Sequence, residues 1–104
     1  MTLESLLAIL TTTKLPVTYE AWPIGYAPAL PWICYRCIDS DNFAADNSVF
    51  YPITNVDVEL YTETKDPTTE AAVEAVLSDY FVWEKNEVYI PDERMYEITY
   101  SIQI

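Results

Sequence analysis

The chain has 104 residues, with 17 carboxylates against five Lys and Arg, no histidine, a net charge of −12, 51% apolar residues and a single glycine. That length suits one domain that buries about two thirds of its unfolded surface, and the apolar content excludes a disordered or low-complexity chain. The charge excludes tight nucleic-acid binding, which needs clustered cations to neutralise phosphates, because Lys14, Arg36, Lys65, Lys85 and Arg94 are dispersed.

The opening "MTLESLLAIL" carries Glu4 and lacks a basic start or a small-residue cleavage site, so it does not read as a secretory signal. No apolar run approaches the roughly 20 residues of a membrane span. Thr2 suits an N-cap, and Leu3, Leu6, Leu7 and Leu10 recur at helical spacing, which predicts a first helix of about ten residues. A short strand follows in "PVTYEAW". Three prolines and Gly25 in "PIGYAPALP" then make a loop, since proline withholds ladder donors and glycine accepts positive φ.

Residues 32–38 read as the next strand and contain Cys34 and Cys37. Their spacing is that of a redox or zinc pair, but residues i and i+3 of a strand point to opposite faces. No second Cys or His pair completes a tetrahedral site, so both are expected to be reduced cysteines within a sheet.

The stretch "CIDSDNFAADNSVFY" crowds three aspartates and two asparagines between apolar runs. As an EF-hand loop starting at Asp39 it fails, with Phe43 at the fifth position, Ala44 at the glycine and Phe50 at the bidentate glutamate. Two readings remain open: an irregular calcium site of Asp39, Asp41 and Asp46, or a polar connection with Asx-type turns. Phe43 stands in its middle, and an aromatic on a loop tip either folds back on the core or anchors a partner.

Beyond it, "YPITNVDVELYTE" alternates, with Val56, Val58 and Leu60 turned to a core and Asn55, Asp57, Glu59 and Tyr61 to a wet face. "KDPTTEAAVEAVLSDY" is a second helix, with Asp66 at the N-cap, Pro67 at the first position, Glu70 favoured by the helix dipole, and a stripe of Val73, Val76, Leu77 and Tyr80. "FVWEKNEVYIP" reads as two short strands about a turn at Lys85 and Asn86. The closing "MYEITYSIQI" is a half-buried strand with Tyr96, Ile98, Tyr100, Ile102 and Ile104 inward. Together these predict an α+β two-layer sandwich, an antiparallel or mixed sheet of about five to six strands with two amphipathic helices on one face.

Without histidine there is no Ser-His or Cys-His pair, and one glycine builds no phosphate cradle. A carboxylate pair is the remaining catalytic option, and nothing marks one pair out, so no catalytic, cofactor or metal residue is assigned. The phrases "KLPVTYEAW", "LPWICYRC", "DNFAADNSVFY", "VELYTETKD" and "ERMYEITYSIQI", with the alanine-rich helix between them, resemble the tail terminator or tail completion proteins of long-tailed bacteriophages and Gram-positive prophages. The resemblance covers nearly the whole chain. It implies a non-enzymatic subunit of a six-membered ring that caps the head-proximal end of the tail tube, stops tube growth and joins the tail to the head connector. Its partners would be copies of itself, the tube protein and the connector, with DNA as passing cargo and no membrane. Its place would be the host cytoplasm during assembly and then the virion tail. On that reading Asp41, Asn42, Phe43, Asp46 and Asn47 contact a neighbouring protein, and Asp57 and Glu59 face the lumen or a second protein. The competing reading is an acidic inhibitor or nucleic-acid mimic that meets a basic enzyme.

Overall fold

A computed structural model describes residues 1–45 and 48–104, with the backbone alone for 43–45 and 49–51. Both helices form where caps and apolar spacing coincide. Helix α1 spans Leu3–Thr11, and the Thr2 hydroxyl accepts from the Ser5 amide at 3.1 Å. Helix α2 spans Pro67–Ser78, the Asp66 carboxylate accepts from the Thr69 amide at 3.1 Å, and Pro67 sits where no intrahelical donor is needed. Leu6, Ile9 and Leu10 of α1 and Val73 and Leu77 of α2 are buried. Two expected stripe members are not. Leu7 is exposed and Ile9 takes its place, because a stripe centred on Leu6 continues at i+3 and i+4; Tyr80 lies beyond the end of α2 at Ser78 and points outward.

The strands are β1 (Val17–Tyr19), β2 (Trp32–Ser40), β3 (Phe43–Ala45), β4 (Ser48–Tyr51), β5 (Thr54–Thr62), β6 (Glu84–Ile90) and β7 (Met95–Gln103). Five form one sheet in the order β1-β2-β5-β7-β6, with β1 parallel to β2 and the other pairs antiparallel. The fold is α+β with a mixed sheet. Ile33 and Tyr35 of β2, Val56, Val58 and Leu60 of β5, and Ile98, Tyr100 and Ile102 of β7 pack with the leucines and valine of both helices into one core. Each such side chain contributes about 1.5–3 kcal/mol by leaving water.

The expected turn at Lys85 and Asn86 does not occur. Both residues lie inside β6, opposite Tyr100 and Thr99, and one strand stands where two were expected. Neither residue requires positive φ, whereas Pro91 ends the ladder and Arg94, at φ 52° with its amide on the Pro91 carbonyl, turns the chain.

Strand β2 also outruns its expected end. A bulge shifts its register between Cys37 and Asp39, pairing continues to Ser40 opposite Thr54, and the Asp41 amide donates to the Ile53 carbonyl at 2.8 Å. Strands β3 and β4 then pair with each other, as a two-stranded sheet separate from the first among the described residues. What reads in sequence as a polar connection is therefore the outer part of a hairpin arm, a continuation of the β2–β5 ribbon. Its length shows in extents of 49 × 29 × 23 Å and a radius of gyration of 14.9 Å, against about 13 Å for a compact chain of this size.

Candidate protein-interaction site: the open sheet face and the arm

The sheet face away from the helices divides into a covered half and an open half. At the Trp32 end, Trp22 and Glu20 from the segment before β2 lie over it. Trp22 sets its edge on Trp32 with centroids 6.2 Å apart, and Trp32 meets Tyr61 at 6.1 Å. Arg36 Nε stands 3.3 Å from Glu59 Oε2 in an ion-pair contact that lacks hydrogen-bond geometry, and the same guanidinium is 3.8 Å from Glu20. Tyr61 donates its hydroxyl to Glu59 Oε1 at 3.2 Å. Glu59 is only 6% exposed, which corrects its assignment to a wet face: Arg36 and Tyr61 contact it, with Glu20 and Trp22 beside them. Burial foremost, then the Glu97 charge, raises its pKa against the pull of Arg36 and the Tyr61 hydrogen bond.

Cys34 stands opposite Glu59 in the β2–β5 register, buried, and burial with the charges of Glu59, Glu97 and Glu20 pushes its thiol up to about 11. Cys37, on the other face of β2 opposite Val56, is exposed, so the two thiols differ in access. With a chromogenic disulfide reagent at pH 8 the native protein is expected to release about one thiol equivalent at once, and the second only on denaturation. Fast reaction of both would mean that Cys34 is accessible.

The open half lies at the arm. Asn55 donates its side-chain amide to Asp39 at 2.6 Å and to Asp41 at 2.8 Å, while the Gln103 amide reaches Asn55 Oδ1 at 3.0 Å and Asp41 at 3.4 Å. The Ser101 hydroxyl donates to Asp57 at 3.2 Å. Asp39, Asp57 and Glu84, drawn from three strands, border a trough of about 450 Å³ with Ile38 and Val82 also in its lining. Among the described residues no cation forms an ion pair with Asp39, Asp41 or Asp57. No group of three Cys, Asp or Glu side chains among the described residues gathers as a metal site.

Of the residues predicted to meet a partner, Asp41 and Asn42 stand at the root of the arm, and Asn42 Oδ1 accepts from the Ile53 amide at 3.4 Å as a side-chain turn contact. Phe43 opens β3, its side chain lying outside the description; Asp46 and Asn47 lie outside the described residues altogether. Asp57 is in the trough, and Glu59 is not.

Two features escape the sequence reading. One is the loop at residues 21–31, where Ile24 is fully exposed and Tyr26 largely so; its signal is the lack of any charge over that length. The other is a charge cluster beneath β6. Lys65 lies 2.7 Å from one oxygen of the buried Glu70 carboxylate and Lys85 2.7 Å from the other. Lys65 also pairs with Glu87, Lys85 with Glu74 at 2.7 Å, and Tyr100 donates to Glu74 at 2.7 Å. No helix among the described residues is long and apolar enough to cross a membrane. Comparison of the chain with protein-family models and with curated proteins finds no match.

Proposed function

We propose that this chain is a structural subunit of a long-tailed phage or prophage tail, of the terminator or completion class that its sequence resembles. Copies close into a ring, six in that class, at the head-proximal end of the tube. The ring stops tube growth and joins the tail to the connector. The observation that carries this reading is the arm, whose outer strands β3 and β4 pair, among the described residues, with each other and not with the main sheet, so that their edges are open to strand addition by another protein. A closed ring needs two different surfaces on each subunit, and the arm with the opposite sheet edge β6 supplies unlike ones. The acidic surface suits a passage for DNA that must move without sticking. No chemical step is assigned to the chain.

The arm assignment is tested at Phe43. Phe43→Ala is expected to leave the melting temperature unchanged and to weaken assembly roughly tenfold or more, as truncation of an interface anchor does. Sedimentation across a concentration series measures it, and unchanged assembly would remove the arm from the interface. The carboxylates of Asp39, Asp57 and Glu84 about one trough also favour the mimic reading. It requires a monomer at all concentrations that binds a basic protein and releases it in salt.

A further inference from the structure

We infer that strand β6 pairs with the β6 of a second copy, antiparallel and two-fold about Asn86, so that two five-stranded sheets become one. Strand β6 ends the sheet order, with β7 as its neighbour on one side among the described residues. Its seven residues include no proline, its ladder with β7 runs without a register shift, and every residue from Glu84 to Tyr89 is exposed. An edge of that kind accepts a further strand unless something blunts it. The opposite edge is blunted, because β1 is only three residues long.

The pattern along the edge selects a second copy as the occupant. Lys85 and Glu87 flank Asn86 with opposite charge, and both lie on the helix side of the sheet, in register with the buried Tyr100 and Ile98. With Asn86 against Asn86, Lys85 of each copy stands across from Glu87 of the other, and Glu84 stands across from Val88. Two ion pairs then flank the axis, and no like charges face each other. A shift of two residues sets Lys85 against Lys85 or Glu87 against Glu87, and a shift of one opposes side chains from different faces. The charges that meet are already positioned, Glu87 by Lys65 and Lys85 by the buried Glu70. Val88 and Tyr89, 48% and 47% exposed, lose water on pairing, and one step along the helix side Tyr89 reaches Trp83 of the second copy. The pairing does not rest on the ring-forming reading. Where both hold, the pair covers the β6 edge that a ring uses and must open before the ring closes.

Oxidation across the axis tests it. Asn86→Cys and Val88→Cys are made separately in a Cys37→Ser background and treated with copper phenanthroline. In this register the Cβ atoms at position 86 lie about 5 Å apart, whereas those at position 88 are displaced by four residues, about 13 Å along the strands. Asn86→Cys is expected to form disulfide dimers at least tenfold faster than Val88→Cys, and Val88→Cys mixed with Glu84→Cys to form mixed dimers as readily as Asn86→Cys. In sedimentation, Val88→Lys, facing Glu84 of the second copy, is expected to tighten dimerisation severalfold, and Glu84→Lys added to it to weaken dimerisation below that of the unaltered chain. Equal rates at positions 86 and 88, or an unaltered chain that stays monomeric at every concentration, would overturn the pairing. Rings that form without cross-linking at position 86 would overturn it and leave the ring reading standing. Fast cross-linking at position 86 in a chain that never exceeds a dimer would support the pairing and count against the ring.

Discussion

Replacing Lys65 and Lys85 together by methionine is expected to lower stability at pH 7 by about 3–5 kcal/mol, because it leaves the Glu70 carboxylate buried without a cation. Glu70 is 2% exposed and meets both ammonium groups at 2.7 Å. Burial alone raises its pKa; the hydrogen bonds and charges of Lys65 and Lys85 outweigh that and hold it below the ordinary carboxylate value. In the unaltered chain Glu70 therefore adds stability above its unfolded pKa, and that part is lost as pH falls through the lower folded value. In the double variant only burial remains, the folded pKa rises, and the sign reverses: stability falls as pH climbs through the carboxylate range and returns on acidification. Urea melts at pH 4 and pH 7 measure both slopes. Adding Glu70→Met to the pair should recover most of the loss, since an apolar trio of similar volume removes the stranded charge. A double variant as stable as the parent at pH 7 would mean that Glu70 is hydrated.

Leu77→Ala should cost a similar amount, about 3–5 kcal/mol, through lost transfer energy and the cavity left behind. Leu77 is fully buried in the core, and its carbonyl accepts from the amides of Tyr80 and Phe81 to close the end of α2. The backbone closure survives the substitution, so the loss belongs to packing. Leu7→Ala, one face away on α1, is expected to stay within about 0.5 kcal/mol. The midpoint of urea unfolding should fall for the first with an unchanged slope, and barely move for the second.

These two predictions differ in what the sequence discloses. Leu77 is legible because helical spacing alone turns it inward with Val73. Glu70 reads only as a favourable charge in a first turn; its real neighbours, Lys65 before the helix and Lys85 on β6, meet it once α2 lies on the sheet. Glu59 fails for the same reason: Arg36 and Tyr61 contact it, and Glu20 and Trp22, from another part of the chain, reach Arg36 and Trp32 beside it. The Lys85 and Asn86 turn is a local error, a weak turn signal preferred over Pro91 a few residues later. At the candidate site, the polar interruption around Asp41 and Phe43 is visible in sequence. The trough is not, because Asp39, Asp57 and Glu84 share a face only after four strands are set in register.

The β2–β5 ladder closes at Ser40 and Thr54, with the Asp41 amide on the Ile53 carbonyl beyond it, before the arm begins. Everything outside that rung is then free to diverge. Doubling the length of such an insertion costs only about 0.6 kcal/mol of closure entropy, and the core residues among the described ones all lie outside it. On the proposed reading, selection on what the arm touches would be uncoupled from selection on the fold, so that a new partner could be met by changes in the arm while the domain that carries it stays the same.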